Sequence, residues 1–582
     1  MFAGAPSLVG ERLSKLGGGE LIFGCGAEIS VQTEIGNGTL SFRGDSTLSG
    51  TVTGAGGIHA VTGTVALAGT LTYAGGTVID AGGTVATSTG GFSPGSFSGS
   101  GVAEFRTLMP NETSRTVLTD AAKWQGVCWL RNIEGVQTNI NPQSYANASA
   151  KVKLTGVSGI LPQSTTCGVE VILSDNGVMG KVTAFRLTGG YSNDRFAFVF
   201  TKLSGDGSFY DDSANTRQII RILDGSEFSG SVTVSGQRVV FGTDPVSPNV
   251  VIKISSDASL TLPYGSTFVN TRSDPSISDG IVVAGYVCIE VPTQLQCGGA
   301  SNLVTSSGVV EFKTYKPYGE RPYADGSYTD FRSYSGDGTI KFSGVGYRLL
   351  GSSSDLYPAE TLAFCNDQAE GIMFADGTHE TVIGSLSGAG MIRTDSRAGQ
   401  RTIRIYQRAN TEWSGVAGGT EDRLRALSID GDPDAAARTL TISGNNTVHS
   451  NKLEVLTNGR VNLSGTWKGD VEVCGAFGGS GSVVNGLVTF TAGATLDAAS
   501  GAPTVPAVDG WPASLAVNVP ASLVGADEPI KVISCSSLQP LDGVDVSFVV
   551  DWARSRYKFI LVRKNDGLYV RHVPYGTKFL IR

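Results

Sequence analysis

The sequence predicts an all-β protein: a right-handed parallel β-helix closed by a small antiparallel β cap at the C-terminal end. Three observations carry that reading. Glycine supplies 79 of 582 residues, about 14% and roughly twice its average usage. Helical periodicity is almost absent; the longest candidate, Glu421 to Leu427, makes barely two turns and has no cap. Short segments of alternating apolar residues, separated by Gly, Asn, Asp and Ser, follow one another along most of the chain. A chain of this length exceeds one compact core, so an elongated repeat is expected, in coils of about 20–25 residues.

Three regions follow: N-terminal β-helix repeats over 1–105, a β-helix with insertions over 106–500, and the cap over 501–582. The recurring elements are turns as much as strands. Gly-x-Gly leads into an apolar strand at Gly36-Asn37-Gly38, Gly99-Ser100-Gly101, Gly205-Asp206-Gly207, Gly336-Asp337-Gly338, Gly388-Ala389-Gly390 and Gly479-Ser480-Gly481. A corner repeated in each coil selects glycine, which reaches positive φ without a Cβ clash. No helix start follows these glycines, so they are not read as phosphate cradles. Trp-x-Gly recurs at Trp124-Gln125-Gly126, Trp413-Ser414-Gly415 and Trp467-Lys468-Gly469, read as large rings packed at coil corners.

The middle region is densest in strands near its end. Leu440–Ile442, Leu453–Val455, Val461–Leu463, Val471–Val473, Val483–Val484 and Val488–Phe490 alternate with turn residues. Strands this short bury their apolar faces only when stacked on neighbouring copies. Pro503, Pro506, Pro512 and Pro520 then mark a change of composition. Fuller strands follow at Ile530 to Ser534, Val544 to Val550 and Tyr557 to Val562. Asn565-Asp566-Gly567 separates the last of these from Leu568-Tyr569-Val570, a hairpin signal that assigns the region to an antiparallel cap.

Leu13-Ser14-Lys15-Leu16-Gly17-Gly18-Gly19-Glu20-Leu21-Ile22-Phe23, followed by Ile35-Gly36-Asn37-Gly38-Thr39-Leu40 and by Ala74-Gly75-Gly76-Thr77-Val78, resembles the autotransporter-associated β-strand repeat. The clear match covers roughly residues 10–90. The resemblance implies a bacterial passenger-like protein, secreted or at the cell surface, with adhesive or structural roles. The last 80 or so residues are too few for the dozen-strand membrane barrel that ends a typical autotransporter. Met1-Phe2-Ala3-Gly4-Ala5-Pro6 lacks the basic and apolar regions of a signal peptide, and strand text begins almost at once. The chain is therefore read as starting within a repeat.

Charge and motifs narrow the function. With 44 basic and 52 acidic residues the net charge is −8, which argues against a nucleic-acid partner, since that would need a basic stripe. No apolar run has the length of a membrane helix. The eight cysteines are scattered without zinc spacing; Cys288 and Cys297 are close enough to pair, although buried thiols are the default. Neither a metal nor a cofactor is expected, and no catalytic residue is assigned. Asp211-Asp212 and Asp432-Pro433-Asp434 are acidic pairs in turn contexts, and His59, His379, His449 and His572 lack a nucleophile elbow. The stretch from Tyr315 to Tyr334 is the candidate recognition loop. Its Tyr315, Tyr318, Arg321, Tyr323 and Tyr328 would stack on sugar rings and bind hydroxyls of a polysaccharide. The leading reading is a non-enzymatic display stalk or adhesin; the alternative is a polysaccharide-binding or polysaccharide-degrading protein on the same fold.

Overall fold

A computed structural model describes residues 6–87, 97–105, 124–131, 149–155, 166–174, 184–187, 197–211, 219–234, 238–244, 250–263, 267–270, 279–291, 294–297, 303–304, 307–314, 334–344, 347–350, 363–368, 371–374, 380–394, 401–418, 424–433, 436–447, 451–523, 528–550 and 557–574. The chain is a parallel β-solenoid. It divides into two compact units, one of residues 1–287 with 293–301, the other of 288–292 with 302–582.

In the first unit each early coil contributes three short strands. One stack runs Arg12–Lys15, Gln32–Ile35, Val52–Gly54 and Leu71–Tyr73. A second begins at Glu20–Phe23 and Thr39–Arg43 and continues into Gly57–Leu67. The third links Ser7–Leu8, Glu28–Ile29 and Ser46–Leu48 to the far half of Gly57–Leu67. Thr33 stacks on Val52 and Val52 on Leu71, an advance of 19 residues per coil. The 20–25 residues expected hold for the first coil, where Arg12 pairs with Gln32, and are too many for those that follow, because three strands of two to five residues and tight glycine corners close a coil. Longer advances appear later: Val102 pairs with Val127 and Val127 with Lys151.

Alternation sorts the side chains. Val52, Leu71, Val65 and Leu67 are buried inside the coils, while the residues between them face outward. Like residues stack: the Phe23 and Phe42 rings lie 5.3 Å apart and nearly parallel. In the second unit Phe312 and Phe342 stack in register at 5.6 Å, and Phe364 of the following coil, two positions off that register, lies tilted 5.3 Å from Phe342. Each such fully buried side chain contributes on the order of 1.5–3 kcal/mol.

At two places the glycine recurrences are halves of one corner, and at a third a Phe-x-Gly takes the place of Trp-x-Gly. Gly99 pairs with Trp124 of the next coil, Gly388 with Trp413 and Gly205 with Phe228. The first glycine of each pair sits at φ +107°, +97° and +92° respectively. All three rings are at most 1% exposed and lie over the glycine corner of the coil before. The closing glycine of each aromatic-x-Gly is held just as closely: a Cβ on Gly126, Gly415 or Gly230 would fall on the backbone carbonyl of Gly101, Gly390 or Gly207. Trp467 occupies the same kind of position above Asn446. The corner-packing reading of all three tryptophans therefore holds.

The strands expected between Leu440 and Phe490 are present, and Leu453, Val471 and Val488 stack with advances of 18 and 17 residues. The short helix candidate is not. Leu424–Gly431 is a β-strand whose burial of Leu424, Ala426, Leu427 and Ile429 in the stack overrides local propensity. Beyond residue 500 the parallel stacking continues longer than the sequence suggests. Thr504–Gly510 pairs in parallel with Ile530–Leu538, and Ser514–Asn518 with Asp545–Val549. Among the described residues, antiparallel pairing is confined to the terminal hairpin Tyr557–Lys564 and Gly567–Pro574, whose second strand closes on Ile530–Leu538.

Candidate functional site: an outward aromatic and cationic face

In the first unit the strands Val102–Phe105, Val127–Arg131, Lys151–Thr155, Thr166–Leu173 and Ala197–Gly205 stack in parallel. Cys128, Val152, Leu154, Val171 and Leu173 fill the interior. Alternation then sends Glu104, Trp129, Lys153, Ile172 and Ser204 outward in one register row, and Lys151, Glu170 and Lys202 in the next.

Trp129 is the unusual member: a half-buried indole on the outer side of a sheet. Its Nε1–H donates to Thr155 Oγ1 at 3.0 Å, and the Thr155 and Ser174 hydroxyls lie 2.9 Å apart. The ring is thereby pinned across three coils. The Lys153 ammonium sits 4.4 Å from the ring centroid and the Arg131 guanidinium 5.2 Å. Arg131 donates to the buried Glu104 carboxylate at 3.1 Å. Lys153 has no carboxylate partner among the described residues, so its charge is balanced only by the indole face.

The neighbouring row is more tightly satisfied. Glu170 faces Lys151 at 2.9 Å and accepts from Ser204 at 2.6 Å. Burial pushes the Glu170 carboxyl up, but the Ser204 and Lys151 hydrogen bonds and the Lys151 and Lys202 charges together hold it below the usual carboxylate range. Lys202 in turn binds Glu227 at 2.7 Å, which raises its ammonium pKa.

The second unit has its own charged ladder. Val382, Arg404, Ser428, Glu454 and Glu472 share an outward row. Arg404 binds Asp430 and lies 3.8 Å from Glu380. Lys452 bridges Glu454 at 2.8 Å and Glu472 at 2.5 Å. Glu454 is pushed up by burial yet ends below its ordinary range through hydrogen bonds from Lys452 and Ser428. A general acid at neutral pH needs the opposite displacement. The described carboxylates that shift all move downward.

The sequence-predicted residues fare unequally. Tyr315, Tyr318, Arg321, Tyr323 and Tyr328 lie outside the described residues, as do Asp212, Asp434, His379 and His449. Asp432 is described and faces Arg408 at 3.7 Å. His59 lies between Glu20, 3.5 Å from its Nδ1, and Asp80, 3.1 Å from its Nε2. Cys288 is buried, and the Cys297 side chain lies outside the described residues. Sequence reasoning passed over Trp129. The signal was present: in Val127-Cys128-Trp129-Leu130-Arg131, placing Cys128 inward forces Trp129 out.

Fold and face together define a parallel β-solenoid whose outer surface is built of coil-to-coil side-chain ladders. No family model matches the chain, and no curated protein matches it. Among solved structures it is similar to the Haemophilus influenzae Hap adhesin, at 12% identity and a TM-score of 0.27. That alignment covers 94% of this chain and 64% of the adhesin chain, so the chain spans just under two thirds of that structure.

Proposed function

We propose that this chain is a non-enzymatic, adhesin-like β-solenoid of the bacterial passenger type, secreted or displayed at the cell surface, which makes contact through its outer faces. The observation that carries the reading is the Trp129 face. A half-buried indole fixed by Thr155 and flanked by Lys153 and Arg131 is equipped to hold a ligand, and the charged groups beside it are locked in pairs. The autotransporter-type repeat text over roughly residues 10–90 folds into 19-residue coils, which supports the passenger-like part of the reading. The tyrosine-rich stretch from Tyr315 to Tyr334 is proposed as a second contact region on composition.

A polysaccharide-degrading protein on the same fold is the competing reading, and the ladder of Glu380, Arg404, Asp430 and Glu454 is where it would act. Incubation with acidic and neutral polysaccharides, followed by reducing-end and unsaturated-product assays, separates the two. Binding on a glycan array with no product supports the adhesin-like reading; turnover lost in Asp430→Asn or Glu454→Gln overturns it.

A further inference from the structure

We propose that Trp129 and Lys153 form a subsite for a carboxylate-bearing pyranose of a linear acidic polysaccharide laid along the stack of coils. This deepens the adhesin-like reading and rests on it. The chain as a whole is anionic, at −8, yet this face gathers Arg131 on one coil, Lys151 and Lys153 on the next, and Lys202 two coils beyond those. Their carboxylate neighbours are already committed. Glu104 is 3% exposed beneath Arg131, and Glu170 is engaged by Lys151 and Ser204. Among the described residues, the cation of this face without an ionic partner is Lys153, 4.4 Å from the indole.

Two features select a sugar acid over a simple anion. The Lys153 ammonium lies over the indole, so a bound carboxylate must draw it off the ring for the C–H face of the pyranose to take its place on the flat apolar surface; the hydrogen bond to Thr155 fixes the ring before anything binds. Lys153 is the register partner of Trp129 on the next coil, about 4.8 Å further along the stack. A β-linked pyranose chain advances by about the same distance per residue as the rungs, which are roughly 4.8 Å apart. A sugar stacked on Trp129 therefore places its own or its neighbour's carboxylate at the Lys153 ammonium. Lys151 and Lys202 lie on the adjoining row, where following carboxylates would pass. The half-buried Lys153 is a compact point charge suited to a single carboxylate, whereas Arg131 is held to Glu104 and serves to brace the ring.

The full chain is titrated with β-linked mannuronate oligosaccharides, with their methyl esters and with dextran sulfate, following tryptophan fluorescence and calorimetric heat. The acid should bind, with affinity falling as salt rises; the methyl esters should bind about tenfold or more weakly. Trp129→Ala should weaken both, Trp129→Phe should restore part of the loss, and Lys153→Gln should weaken only the acid, to the level of the ester. Circular dichroism and the denaturation midpoint establish that each variant is folded. Equal affinity for acid and ester, or acid binding unchanged in Lys153→Gln, overturns the subsite. So does binding of dextran sulfate that exceeds that of the uronate and ignores Trp129→Ala, because it marks ion exchange alone. The two readings fail separately: depolymerised polymannuronate refutes the adhesin-like function while leaving the subsite open to the same variants. Binding only to other glycans refutes the subsite and leaves the function.

Discussion

Three tryptophans occupy equivalent buried corners, but their indole nitrogens do not share one fate. Trp413 Nε1–H donates to the Gly390 carbonyl and Trp467 Nε1–H to the Asn451 carbonyl, both at 3.0 Å. Trp124 Nε1–H is buried and has no acceptor. Replacement by Phe removes similar ring volume at each site and costs a comparable packing term of about 1–2 kcal/mol. At Trp413 and Trp467 it also strands a buried carbonyl, adding about 1–3 kcal/mol. At Trp124 it instead removes an orphaned donor whose burial costs about 1–3 kcal/mol, which offsets the packing loss. Trp124→Phe should thus be close to neutral, kept so by the edge-on contact of the ring with Phe97 at 6.0 Å. Trp413→Phe and Trp467→Phe should each lie about 2 kcal/mol or more below it. Guanidinium denaturation of the full chain, with hydrogen exchange read at the coils on either side, measures the series. If Trp124→Phe is destabilised as much as Trp467→Phe, the argument from the unpaired nitrogen is wrong. Trp467→Ala, which empties the corner, should cost about 3–5 kcal/mol.

Other consequences are open to similar tests. Asn446 is 1% exposed with neither amide atom hydrogen-bonded, so Asn446→Leu should stabilise the chain by about 1–3 kcal/mol; a loss of stability measured by denaturation would show that the amide is satisfied in solution. Gly415→Ala drives its Cβ onto the Gly390 carbonyl and should cost about 2 kcal/mol or more, read as a lowered midpoint; a shift under about 0.5 kcal/mol would mean the corner is loose. The Ser256 backbone N–H, together with the Ser256 hydroxyl and Lys253, outweighs burial and holds the Asp244 carboxyl below its usual range. Its folded pKa is depressed, so its contribution is present above the unfolded value of about 3.9 and is lost as pH falls through the folded one. Asp244→Asn should accordingly flatten the loss of stability below about pH 4, and an unchanged acid limb would discount this carboxylate.

Much of the fold was legible because its determinants are local. Apolar alternation at Leu453, Val461 and Val471 names the buried faces, and Asn565-Asp566-Gly567 marks the one antiparallel turn at the end. Coil length was less legible: it depends on how few residues a glycine corner consumes, and that is set by contact with the coil beneath. The same cause hid the link between Gly-x-Gly and Trp-x-Gly. Gly99 and Trp124 are 25 positions apart, and nothing in either triplet announces its partner. Parallel pairing of Ile530–Leu538 was missed for a related reason, since a strand's own residues do not state the direction of its neighbour. The Trp129 face was readable only in part. Alternation turns the indole outward, but the approach of Lys153 and Thr155 comes from the next coil and requires the register between them.

The aromatic-over-glycine corner also bears on how such a chain tolerates change. Because the ring of one turn seats on the glycine of the turn before, the corner acts as a locating pin between layers. Gly99 and Trp124, Gly388 and Trp413, and Gly205 and Phe228 meet across 25, 25 and 23 positions, beyond the 19 of the tightest coils. Extra sequence spliced between two pins leaves the seating of the layers intact, since lengthening a surface loop carries only a small entropic cost. The scaffold can therefore acquire new surface segments in evolution, or accept grafted ones by design, without disturbing the stacked interior that holds it up.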